Sequence, residues 1–531
     1  MVGLPRESLY RPTRPLTYEL ANHSKAYFEM RQYAGGFSFL NALLISGTSI
    51  STPNRSYSAF LAPTSQLALA SSLIVYPGIT TKAKSADTVK GADAALRYLR
   101  NVQNIVNPIN ETLRGAFAFP DERSRKRAAG YRTLGLSPSP EVDESKRLKG
   151  LAATSQSLWM RATDFWHIVG WAFNCSVVHK KRWERWKLWL EVMLDFLEAE
   201  WAERVKLILE EGGDAHKILT KSLLWHYVSS RDAAIRSNRR VMVGAILSMG
   251  SLHSRKLFPE IWEEETAEPE MEEEEGNALA KIDIENGDFG DYEKVDEDVA
   301  MHGQSKVALR CSTGSPESSP PKSDDEFLIC SSEEAIGRLG GMDAIILRQR
   351  LLALLVQVAQ YIPDNFTTLG DLFDQFTEAY LQLPTNIFSV LLSTSQIPLQ
   401  VQMGLNSNLL FPLLSGALPD YTVMEPTQEH LEEYFLPSRA TTHRYAANAK
   451  ISLIFEQMVM YFMSAKRLNA TDDLRSAVES GIEAREKAYG NASRKKGNTQ
   501  EEEQAKIILD QSTERLLGLL EIVELSAGKE L

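Results

Sequence analysis

The first question is which side chains could do chemistry, and whether their spacing allows it. The chain holds no Gly-x-x-x-x-Gly-Lys-Ser/Thr phosphate loop. Gly337, Gly340 and Gly341 lack the spacing and the preceding strand of a dinucleotide loop, and read as a turn into the next helix. The nine His are scattered, without His-Glu-x-x-His, and no Cys-x-x-Cys is present. Cys175 and His179 stand one helical turn apart, but two ligands fall short of the four of a structural zinc site. They read as a buried thiol beside a helix-end His. Gly-x-Ser-x-Gly is absent. Asp472 and Asp473 sit at an expected helix start, where carboxylates meet the positive end of the dipole, so they read as a cap. The sequence therefore offers no catalytic, cofactor-binding or metal-ligating set, and leans away from an enzyme. An all-α enzyme without a short motif stays as a third class.

Stacking of bases on aromatics is the next chemistry to weigh. Seven of the nine Trp fall within residues 155–210: Trp159, Trp166, Trp171, Trp183, Trp186, Trp189 and Trp201. Basic residues interleave with them at Lys180, Lys181, Arg182, Arg185 and Lys187. Glu184 interrupts that run and the helix turns acidic after Lys187, so a core role outweighs contact with nucleic acid.

Two helices must position these rings. In the first, Leu158, Ala162, Phe165, Val169 and Phe173 step by three or four residues. In the second, Trp186, Leu190, Met193, Leu197, Trp201, Val205 and Ile208 form an apolar stripe opposite Glu184, Lys187, Glu191, Asp195 and Glu198. Gly212-Gly213 should end it. Upstream, a helix is expected over 87–117, kinked or broken at Pro108. Downstream, residues 342–361 are apolar nearly all round and predict a central helix, and Thr471 predicts an N-cap.

These elements give an all-α chain of two irregular multi-helix bodies separated by a long acidic disordered linker. The expected divisions are a flexible tail over 1–15, a Trp-rich body over 16–258, the linker over 259–335 and a second body over 336–531. No fixed-period repeat aligns, although degenerate helix pairs of a helical-repeat architecture hide well in one sequence. Residues 260–298 hold 18 acidic residues against two Lys, a balance of −16 within a chain of net −12, which leaves the rest at +4. Such a segment, followed by the Ser/Pro/Gly stretch over 311–322, buries too little apolar area to offset its ordering entropy. Three Cys, far apart, argue for a reducing compartment. Residues 1–15 lack the apolar stretch of a signal peptide, and no apolar tract approaches the roughly 20 residues that cross a bilayer. The chain is expected to stay off membranes.

Two short stretches point to partners and place. Arg123, Arg125, Lys126 and Arg127 cluster in a polar loop and resemble a nuclear localisation signal. Phe327, Leu328 and Ile329 lie between Asp324-Asp325-Glu326 and Ser331-Ser332-Glu333-Glu334. This arrangement resembles a SUMO-interacting motif, a short aliphatic core beside acidic residues, although Phe327 and Cys330 depart from its preferred aliphatics. The resemblance implies an added strand on a partner's sheet edge, with SUMO as the candidate. The competing reading makes Phe327–Cys330 the first packed segment of the second body. The expected function is a non-enzymatic scaffold or adaptor of a multiprotein nuclear assembly. The alternative is a nucleic-acid- or chromatin-associated protein using basic patches.

Overall fold

In this computed structural model, residues 10–52, 57–120, 147–229, 235–267, 332–414, 425–487 and 499–528 are described. The first body opens with a strand, β1 (Thr13–Pro15), then α1 (Tyr18–Glu29), α2 (Tyr33–Ile45), β2 (Ala59–Leu61), α3 (Thr64–Val75), α4 (Ala86–Ile105) and α5 (Glu111–Phe117). It continues through α6 (Leu158–Arg161), α7 (Phe165–Val178), α8 (Lys180–Glu211), α9 (Ala215–Leu219), α10 (Leu223–Val228), α11 (Ile235–Ile246) and α12 (Leu252–Leu257). The second body comprises α13 (Ser332–Arg338), α14 (Met342–Tyr361), α15 (Leu369–Leu381), α16 (Thr385–Ser393), α17 (Leu399–Leu410), α18 (Gln428–His430), α19 (Tyr445–Ser464), α20 (Asp472–Glu486) and α21 (Thr499–Ser526). The architecture is all-α, with the segment 268–331 lying between the two helical bodies.

Local chemistry sets many of the helix ends. Pro108 cannot continue the helix of residues 86–105, and Asn110 restarts it by accepting from the Thr112 amide. Asp164 caps α7 through the His167 amide, so Leu158 belongs to a separate short turn. Gly212, at φ 67°, terminates α8 in the left-handed region that favours glycine. Thr471 accepts from the Leu474 amide and caps α20. At 32 residues, α8 runs about 48 Å at 1.5 Å per residue and is the axis of the first body. It packs against α3, α4, α7, α9 and α10. Its Trp183, Trp186, Trp189 and Trp201 are buried, as are Trp159, Trp166 and Trp171. In the second body α14 is buried nearly all round, while α19 and α21 form its most extensive helix pair.

Both bodies belong to one compact unit, and one buried hydrophobic cluster runs from Phe28 to Val523. The bodies meet where α8 packs on α14 and α11 on α15. Part of the α8 face expected to be solvated faces this junction. Arg350 of α14 donates to Asp195 at 2.6 Å and to Glu198 at 2.7 and 2.8 Å.

Three expectations are revised. The tail over 1–15 is anchored from residue 10 onward: β1 pairs in parallel with β2, Thr13 opposite Ala59 and Pro15 opposite Leu61. A parallel pair needs a crossover, and α1 and α2 supply it. Arg11 is buried and donates to the carbonyls of Tyr57 and Ser46 at 2.8 Å each. The first body does not close near 258 either, because Ile261, Trp262 and Glu265 are all buried. The second body begins with α13 at Ser332, ahead of 336.

Candidate functional site

The residues singled out by sequence separate into three groups. Arg123, Arg125, Lys126 and Arg127 lie outside the described residues, as do Phe327, Leu328 and Ile329. Cys175 and His179 are placed, but converge with no further ligand. Among the described residues no group of three or more His, Cys, Asp or Glu could hold a metal ion. Burial pushes the Cys175 thiol well up, against reactivity. The Lys180–Lys187 run is dispersed by the fold. Arg182, Trp183 and Trp186 face inward, Arg185 pairs with Asp93 at 2.7 Å, and Lys187 pairs with Asp343 at 2.9 Å. The buried rings present no face on which a base could stack.

What the sequence could not show is the use made of buried cations. A helix ends with carbonyls that lack intrahelical partners and carry the negative end of its dipole. Among the described residues, six buried cations fill such ends. Arg11 reaches the carbonyls of Leu44 and Ser46 at the end of α2. Arg182 donates to Val75, the last residue of α3, at 2.7 Å. Arg204 reaches Ile218 and Lys221 around the end of α9, each at 3.2 Å. Arg348 reaches Ile246 and Ser248 at the end of α11 and Leu339 just past α13. Lys450 donates to Leu381 and Leu383 at the end of α15, at 2.8 and 2.7 Å. Arg485 donates to Leu436 and Ser438, both at 2.9 Å, just past the π turn Leu431–Phe435.

These cations are structural, and burial shows in their proton affinity. It pushes Lys450 down to about 8, Arg348 down to about 9 and Arg485 down to about 10. Arg204 and Arg182 also have carboxylates. Glu200 binds Arg204 through two guanidinium nitrogens and accepts from the Leu223 amide at 2.7 Å, so it serves the start of α10 while Arg204 serves the end of α9. Arg182 donates to Glu265 at 2.8 Å, and the Trp171 indole N–H donates to the other carboxylate oxygen. Burial outweighs these partners and pushes Glu265 up to about 7.

Concave surface lies elsewhere. A cleft of about 680 Å³ opens between the α1–α2 turn and the start of α4, lined by Arg31, Tyr33, Tyr76 and Asp87 among others. Burial raises the Tyr33 hydroxyl, and Asp87 at the cleft's rim is paired with Lys90 at 2.6 Å. A groove of about 550 Å³ runs among Ser332, α16, α19 and α21. Its apolar lining includes Leu392, Leu453, Met460, Ile507 and Ile508, with Gln457, Gln504 and Gln511 alongside. Glu456 and Arg515 neutralise each other in its wall through two hydrogen bonds of 2.8 and 3.0 Å. Ile507 is 57% exposed and Met460 37% exposed. No segment-level signal marked this groove, because its apolar residues come from three helices far apart in the chain. No helix among the described residues is long and apolar enough to cross a membrane. Neither a protein-family model nor a curated protein matches the chain.

Proposed function

We propose that this protein is a non-enzymatic helical scaffold or adaptor of a multiprotein assembly, and that the groove among α16, α19 and α21 takes a short amphipathic helix of a protein partner. The observation that carries this reading is the groove's make-up. Exposed Ile507 and Met460 offer apolar contacts, three glutamines offer carboxamide hydrogen bonds, and the one ion pair of the wall is internally balanced. A helix-in-groove partner supplies the matching apolar stripe at i, i+3 and i+4 spacing. The neutral wall favours an uncharged contact face over nucleic acid, whose binding rests on phosphate neutralisation.

Two sequence elements extend the reading. The cluster Arg123, Arg125, Lys126 and Arg127 directs the chain to the nucleus, and Phe327, Leu328 and Ile329 recruit SUMO as an added strand. The groove test compares partners recovered with the wild-type chain and with Met460→Glu/Ile507→Glu. Both positions are exposed, so folding is retained while partners of the groove are lost. An unchanged partner set from a folded double variant rejects the groove. A peptide of residues 321–336 titrated against SUMO tests the second element, and no chemical-shift change at millimolar peptide removes it. Salt-sensitive DNA or RNA binding by the folded chain would turn the assignment toward nucleic acid.

A further inference from the structure

Residues 258–266 cross the Trp-rich core without regular helix or strand. They are held by a series of separate polar contacts. The carbonyl of Pro259 lies 2.9 Å from His167 Nε2, Arg161 donates to the Ile261 carbonyl at 3.3 Å, and Lys82 donates to the Glu264 carbonyl. Trp262 donates to the Gln156 carbonyl at 3.0 Å, and its ring lies 6.0 Å from those of Trp186 and Tyr76. Glu264 takes a left-handed backbone, φ 55°, which is costly for a residue with a β-carbon. Glu265 then turns inward to Arg182 and Trp171.

We propose that residues 258–266 are a proton-sensitive latch, a strap that opens as a unit while α7 and α8 stay folded, and that Glu265 is its catch. The argument is geometric. The strap's backbone is held by side chains reaching out from neighbouring elements, not by a ladder of its own, and one of its residues is strained. Its one buried charge is met by Arg182, which already serves the end of α3. Opening uncovers Arg182, the Trp171 indole N–H and the face of Trp186, which Glu265 and Trp262 cover in the closed form.

Proton linkage gives the device a direction. The groups facing the Glu265 carboxyl are Arg182 from α8, Cys175 from α7 and Glu260 from the strap itself. Thr266 donates to Glu260, and His179 at the end of α7 feels both Glu260 and Arg255 of α12. Burial raises Glu265 to about 7 in the closed form, whereas a solvated Glu sits near 4.3. The closed form therefore binds the extra proton between those values, is favoured below them, and loosens as pH rises toward and through 7. Burial also lowers His167, which favours the neutral imidazole beside the Pro259 carbonyl in the closed form.

Native-state proteolysis of the full chain tests the latch. Thermolysin cleavage before Ile261 is measured between pH 6.5 and 8 and divided by the rate for a free peptide of residues 256–268. The expected result is cutting at Ile261 before any cut within 165–197, with a normalised rate rising about fourfold over that range. Glu265→Gln should abolish the rise, and Trp262→Phe, which loses the bond to Gln156, should speed cutting while keeping it. Cutting at Ile261 no earlier than within α7 and α8 overturns the latch. So does a pH rise that survives in Glu265→Gln, or one absent from the wild type.

Discussion

The Arg348 guanidinium lies 4.0 Å from the centre of the Phe173 ring, joining α14 of the second body to α7 of the first. The same guanidinium closes the end of α11 through Ile246 and Ser248. It is fully buried and has no carboxylate partner among the described residues, so its charge rests on carbonyl dipoles and one aromatic face. Near the packed junction of the bodies, Gly340 at φ 93° brings the backbone against Ser176.

Arg348→Met keeps much of the side-chain volume and removes every donor. It strands buried carbonyls at the end of α11, each worth about 1–3 kcal/mol when left unpaired. The expected loss is about 3 kcal/mol, read as a lower denaturation midpoint with an unchanged m-value. A midpoint equal to the wild type would show that the guanidinium is dispensable to the junction.

The sequence was legible where a residue acts on its own neighbours. Pro108, Gly212 and Thr471 break, end and cap helices by local backbone chemistry, and the all-round apolar run of 342–361 specifies burial without naming its partners. It was illegible where the partner is distant. Arg182 looks like one basic residue in a basic run, and only the fold brings it to Val75 and Glu265. Trp262 and Glu265 sit at the head of an acidic tract, so composition averaged them into a linker. The parallel pairing of Thr13–Pro15 with Ala59–Leu61 involves segments too short to carry a period. The groove holding Met460 and Ile507 is likewise a product of α19 meeting α21, which no single window contains.

Gly481 illustrates a close approach that one atom can spoil. A β-carbon there would run into the Leu436 carbonyl, the same oxygen to which Arg485 donates from one turn later on α20. Gly481→Ala should therefore cost about 3 kcal/mol despite alanine's better helix propensity. Gly244→Ala, where nothing lies within 4 Å of the added carbon, is the matched control and should be neutral or slightly stabilising. Thermal melts of the two variants decide it, and equal midpoints would refute the crowding argument.

The tryptophans differ in how their indole N–H groups are served. Trp159 donates to Ser71 at 2.8 Å, whereas the buried Trp189 indole N–H has no hydrogen-bond partner among the described residues. Replacement by Phe removes ring volume in both cases, but it leaves a bond broken only at Trp159. Trp159→Phe is expected to lose about 1 kcal/mol more than Trp189→Phe. Urea titrations of the pair measure that difference, and a larger loss at Trp189 would contradict it.

Lys450 supplies a prediction in pH. Burial lowers it to about 8 in the folded chain, while a solvated Lys titrates near 10.4. Below 8 both states are charged and the fold bears the full penalty of the buried ammonium. Between 8 and 10.4 the folded chain binds fewer protons than the unfolded, so this residue's contribution to stability rises with pH. From pH 8 to 9 the rise is about 1 kcal/mol. Lys450→Met has no such group, and it leaves the carbonyls of Leu381 and Leu383 without their donor at every pH. The stability difference between wild type and variant should therefore widen in favour of the wild type across that interval. Denaturant midpoints at pH 8.0, 8.5 and 9.0 read it directly. A gap that stays constant would mean that Lys450 keeps its proton throughout, held by the two carbonyls and by the face of Phe388, 5.5 Å away.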